Sequence, residues 1–117
     1  MKDQRIFCHD ILDRIARIER YTAEGRAAFM ESELLQDGVI RSFEVIGEAI
    51  KRMEPTLLAT RTDVIWSDFA GFRDVLIHQY EKVRLNLVWE FSQEDLPPLK
   101  AAILALLATL PPEDERC

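Results

Sequence analysis

Arg73, His78 and Tyr80 lie within one run, Trp66-Ser-Asp-Phe-Ala-Gly-Phe-Arg73-Asp-Val-Leu-Ile-His78-Gln-Tyr80. Together they carry groups suited to breaking a phosphodiester without a metal. A guanidinium grips phosphate through two parallel hydrogen bonds, and an imidazole moves protons near neutral pH. Each residue also has a plainer reading. Arg73 has Phe69 four residues before it and Ile77 four after. Its stem can therefore pack while its head snorkels or pairs with a carboxylate. His78 can be a helix-terminal cation favoured by the dipole. Tyr80 can be a core-edge aromatic with its hydroxyl in water.

Helix geometry constrains how Arg73 and His78 could act together. Five residues turn an ideal helix through about 500°, so the two positions point roughly 140° apart. Either the helix ends near Ile77 and lets His78 fold back, or a second subunit completes the site. A two-fold homodimer would gather two copies of each residue around one cleft.

Other titratable groups are less pointed. Glu44 and Glu48 share a helix face and could bind a metal or do acid–base work. Arg41 lies three before Glu44, and Arg52 four after Glu48. These spacings suit surface ion pairs, with a lesser reading in which Glu48 orients the site. His9, beside Asp10, reads as a surface histidine. Cys8 and Cys117 have neither metal-ligand nor disulfide-framework spacing and read as free thiols. No metal and no cofactor is expected.

Helices must position these groups. Phe7, Ile11, Ile15 and Ile18 form one stripe over residues 3–24, with Gly25 as a C-terminal stop. A second helix starts near Ser32 and carries Leu35, Val39, Phe43, Ile46, Ile50 and Met53 until Pro55 ends it. Gly47, inside that helix, implies close approach of another helix. Thr62 and Asp63 are candidate caps for a third helix. It carries Trp66, Phe69, Phe72, Val75, Leu76 and Ile77 and ends near His78. Tyr80 to Lys82 reads as a short connection, and Leu85, Val88 and Trp89 mark a fourth helix. Asp95 is a candidate cap for the last helix, with Pro97 and Pro98 in its first turn. Leu99, Ile103, Leu106 and Leu110 form its stripe, and Pro111 and Pro112 stop it. The pattern predicts an all-α fold, an antiparallel bundle of four or five helices. One domain spans residues 1–112, and residues 113–117 form a short C-terminal tail.

Composition agrees. The chain has 117 residues, 48% hydrophobic and 31% charged, enough for one core without disulfides or metals. Its net charge of −6 makes it a poor general nucleic-acid binder. A local basic site, or a basic protein partner, stays compatible with that charge. No apolar run approaches the roughly 18 residues of a membrane span, and no signal-peptide core is present, so a cytoplasmic location is expected.

Arg73-x4-His78-x-Tyr80 resembles the R-x4-H-x-Y motif of HepT-class HEPN toxins. Arg41-Ser-Phe-Glu-Val-Ile-Gly-Glu-Ala49 is similar to the GEA segment of that class. The approach through Trp66, the Val83-to-Trp89 continuation and the Leu96-Pro97 helix start also fit, so the resemblance covers nearly the whole chain. It implies a dimeric helical bundle and a metal-independent endoribonuclease acting on RNA. The implied partner is a minimal nucleotidyltransferase antitoxin that transfers AMP onto the motif tyrosine. On this chain Arg73 would hold phosphate, His78 would act as general acid or base, and Tyr80 would be modified. The class commonly has Asn after the motif arginine, where this chain has Asp74. That carboxylate could orient Arg73 or His78, or weaken RNA binding. The alternative is a non-catalytic HEPN module serving a nucleotidyltransferase as a binding or regulatory subunit. A plain helical dimerisation domain would leave Arg73, His78 and Tyr80 unexplained.

Overall fold

A computed structural model describes residues 3–78 and 84–111 of the chain. The regular elements among its described residues are helices: α1 (Gln4–Tyr21), α2 (Arg26–Glu31), α3 (Glu33–Arg52), α4 (Pro55–Leu58), α5 (Trp66–His78), α6 (Leu85–Glu90) and α7 (Leu96–Thr109). A π-helical turn, Phe91–Asp95, joins α6 to α7 without a break. The four long helices form the all-α bundle that the periodicity predicts, and α2, α4 and α6 are short additions.

The apolar stripes bury as their spacing requires. Phe7, Ile11, Ile15 and Ile18 of α1 meet Val39, Phe43, Ile46 and Ile50 of α3, and all are buried. Leu99, Ile103 and Leu106 of α7 close the core. Helices α1 and α3 run antiparallel. Gln4 at the start of α1 accepts a 2.8 Å hydrogen bond from the Glu54 N–H just past α3. At the other end, the Tyr21 ring covers Gly38 near the start of α3. Lys100 of α7 reaches Glu19 of α1 at 3.1 Å. Ser32 caps α3, its hydroxyl accepting from the Leu35 N–H at 3.2 Å, as its residue type and place suggest.

Four local expectations are corrected. Gly25 does not stop α1, which ends at Tyr21 with Thr22 as its cap. Instead Gly25, at φ 100°, leads into α2, a conformation that glycine adopts without a Cβ penalty. Helices α2 and α4 are additions, six and four residues long, too short to show a helical period. Thr62 and Asp63 do not cap α5, which begins at Trp66. The Asp63 carboxylate is held by Arg61 at 2.8 Å, while the Trp66 indole N–H ties the turn to the Leu58 and Arg61 carbonyls. Asp95 makes no capping hydrogen bond because it is itself helical. Pro97 and Pro98 do sit in the first turn of α7.

The π-helical turn helps seat α5. Phe91, on that turn, stacks on Phe72 at 4.3 Å and meets Phe69 and Phe43 edge-on at 5.2 and 5.6 Å. Aromatic pairs in these geometries add about 0.5–1.5 kcal/mol each beyond area burial. Phe91 thus ties α5 to α3 through Phe69, Phe72 and Phe43. Residues 112–117, including the expected tail and Cys117, lie outside the described residues.

Candidate active site

Helices α3 and α5 approach most closely at Gly47. A Cβ there would lie 2.8 Å from the Phe69 carbonyl oxygen and 2.9 Å from Arg73 Cγ. The absent side chain lets the stem of Arg73 lie directly on α3. The close helix approach expected from Gly47 is therefore seen, and it positions the arginine.

The Arg73 head faces a cleft of about 290 Å³ between α1, α3 and α5, lined by Phe7, Asp10, Arg41, Glu44, Val45, Glu48, Ala49, Arg52, Arg73 and Ile77. Its side chain is 22% exposed, so it is accessible but not free. One terminal nitrogen lies 3.1 Å from Glu48 Oε1, and the other lies 3.0 Å from Asp74 Oδ1. Nε is buried without a hydrogen-bond partner. The packed stem and carboxylate-paired head of the plainer reading are both present, and they orient the guanidinium at the cleft.

The two carboxylates have partners of their own. Lys51 Nζ lies 3.1 Å from the same Asp74 oxygen that Arg73 contacts. Glu48 also faces Arg52 at 3.9 Å, and Arg41 pairs with Glu44 at 3.4 Å. The hydrogen bond from Lys51, and then that from Arg73, holds the Asp74 carboxyl below its ordinary range. The expected ion pairs from Arg41 and Arg52 are therefore present, and Glu48 additionally bridges to Arg73. Lys51 escaped the sequence reading. Its signal was its place one turn after Gly47: if Gly47 abuts Arg73, the next turn of α3 lies beside Asp74.

Helix α5 is described to His78, the end expected for it and one residue past Ile77. On ideal helix geometry, positions 73 and 78 therefore stay about 140° apart within one chain. Tyr80, the Tyr80-to-Lys82 connection and Val83 lie outside the described residues. His9 is on the surface, as expected. Cys8 is fully buried, and burial pushes its thiol up to about 11, with the Asp3 charge adding to the effect. Among the described residues, no group of three or more His, Cys, Asp and Glu side chains is placed to hold a metal ion.

The opposite side of α5 borders a second, smaller cleft of about 170 Å³. It carries Asp68, Glu94 and Asp95. Desolvation, and then the charges of Asp68 and Glu94, raises the Asp95 carboxyl above its ordinary range.

A family model described as Ribonuclease HepT-like matches residues 11–106. The chain belongs to the HepT-like ribonuclease family. It is 41% identical, over 93% of its length, to a protein of Methanocaldococcus jannaschii named "Gamma-glutamylcyclotransferase and putative RNase". It spans 50% of that relative, about half its length. A "Putative RNase" of Caldanaerobacter subterraneus is 32% identical, with 92% of this chain and 96% of that one covered. A "Probable ribonuclease HepT" of Thermococcus cleftensis is 33% identical, with 85% and 91% covered. No solved structure matches. No helix among the described residues of this HepT-like chain is long and apolar enough to cross a membrane.

Proposed function

We propose that the chain is a metal-independent endoribonuclease, the toxin of a pair whose antitoxin is a minimal nucleotidyltransferase. The observation that carries this reading is Arg73, seated on Gly47 and aimed into a cleft, on the family's helix and five residues before His78. Arg73 holds the phosphate beside the cleaved bond. His78 takes the proton from the 2′-hydroxyl as that oxygen attacks phosphorus, and a general acid protonates the departing 5′ oxygen. Glu48 and Asp74 keep the guanidinium in place. Tyr80 is the acceptor of AMP from the antitoxin, and the added negative charge and bulk compete with RNA for Arg73. The protein works in the cytoplasm.

The divergence of positions 73 and 78 on α5, about 140° on an ideal helix, favours a site shared across a homodimer. Positions 75 and 78 lie on one face of an ideal helix, and Val75 is 40% exposed there. An apolar residue on that face suits contact with a second copy. Light scattering should give twice the 13.6 kDa chain mass, and a monomer at micromolar concentration would contradict the shared site.

Induced expression of the chain alone should arrest growth, and Arg73→Ala should relieve the arrest. Co-expression with the nucleotidyltransferase should add AMP to Tyr80, read by intact mass and absent in Tyr80→Phe. A fully neutralised toxin with unmodified Tyr80 would replace modification by simple complex formation. The second reading is the non-catalytic HEPN module. It is favoured by one observation: both terminal nitrogens of Arg73 already face carboxylates. That reading predicts no growth arrest.

A further inference from the structure

Arg73 and its two carboxylates would together carry one negative charge, a poor receptor for phosphate. Two further cations change that. Lys51 sits on Asp74 at 3.1 Å and Arg52 on Glu48 at 3.9 Å. Within this group three cations and two carboxylates leave one positive charge, which balances Asp10 on the same cleft beside the neutral Arg41–Glu44 pair. All five side chains come from two helices locked together at Gly47, so their spacing is set by the fold. In a molecule of net charge −6, no general attraction for nucleic acid can replace this local group of cations.

We infer that Lys51 is a positioning residue for RNA, neutralising Asp74 so that Arg73 can receive a phosphate. This deepens the ribonuclease reading and rests on it for the identity of the ligand. Lys51 has a geometric role too. It donates a hydrogen bond to Asp74 Oδ1, the same oxygen that fixes the Arg73 head. Without Lys51, Asp74 is left to Arg73 alone, and the guanidinium is drawn toward the carboxylate and away from the cleft.

The proposal makes a charge order that a merely structural lysine would not give. The cluster has two positive charges in Asp74→Asn, one in the native chain, one in the Lys51→Met/Asp74→Asn double variant and none in Lys51→Met. Affinity for a short single-stranded RNA should follow that order. Each step is worth about 3- to 10-fold for partly screened charges at this range. The loss in Lys51→Met should appear in KM more than in kcat. Lys51 and Asp74 are both half-exposed, so the variants should fold, which circular dichroism would verify.

The experiment measures binding of a fluorescent single-stranded RNA whose 2′-hydroxyls are methylated, and cleavage of its unmodified counterpart, for the native chain and the three variants. Weakened binding in Lys51→Met that Asp74→Asn largely reverses supports the proposal. Equal weakening in Lys51→Met and the double variant overturns it, since Lys51 would then contact RNA itself. No effect in Lys51→Met, or no RNA binding by any form, also overturns it. Binding that follows the charge order without any cleavage supports the proposal and sinks the ribonuclease reading, so the two failures are separable.

Discussion

The two sides of α5 show opposite electrostatics built from the same residue types. On the Arg73 side, Asp74 is paired with Lys51 and Arg73, and those partners hold its carboxyl low. On the other side, Asp68, Glu94 and Asp95 gather in a cleft, and burial and mutual repulsion raise Asp95. Net charge alone would have placed both in one acidic molecule. The arrangement on the helices sets the charge of each surface: cations compensate the carboxylate on one side, and carboxylates crowd one another on the other.

Removing the proposed catalytic pair breaks this contrast most severely. His78→Ala should cut RNA cleavage by about 10²–10⁴-fold, the usual worth of a general acid–base group, and Arg73→Ala should abolish it by removing the phosphate's partner, with helical content unchanged in both. Mixing the two inactive chains sharpens the result. If Arg73 of one subunit works with His78 of another, the mixed dimer regains cleavage. If both act within one chain, it stays inactive.

The seat of the arginine comes next in size. Gly47→Val should lower stability by about 1–3 kcal/mol through overpacking, because α3 and α5 have no room for a side chain there. Thermal melting would show the loss, and cleavage below the melting range should fall as Arg73 is pushed out of register. Unchanged melting would mean that the helices do not meet so closely.

The smallest effect separates the two carboxylate environments by pH. A raised folded-state pKa at Asp95 favours the protonated form, so its contribution to stability is present at acid pH and lost as pH rises through that pKa. Asp95→Asn should therefore raise the melting temperature slightly at pH 7 and leave it unchanged near pH 3. Asp74 runs the other way. Its lowered pKa contributes stability above the ordinary carboxylate range, lost only as pH falls through the depressed value. Asp74→Asn should give no such gain at pH 7.

Much of this was legible in the sequence, and the failures have local causes. Stripes such as Phe7-Ile11-Ile15-Ile18 are long enough for their period to dictate burial, and Gly47 announced a close helix contact by lacking a side chain. The second helix starts beside Ser32 as expected, and the Ser32 hydroxyl caps it. Asp63 and Asp95 misled for opposite reasons: Arg61 captured the first, and a continuous π-helical turn absorbed the second. Glu48 was visible as a surface pair with Arg52, but its bridge to Arg73 depends on how two helices cross. The same crossing brings Lys51 to Asp74, 23 residues apart in sequence, a pairing signalled only by the place of Lys51 one turn after Gly47.

The central claim is that Arg73 and His78 cleave RNA without a metal. The direct measurement is cleavage of single-stranded RNA by the purified chain in excess EDTA, beside Arg73→Ala and His78→Ala prepared identically. The account predicts cleavage by the native chain that chelation leaves intact and either substitution abolishes. Cleavage lost on chelation, or equal in all three proteins, would contradict it.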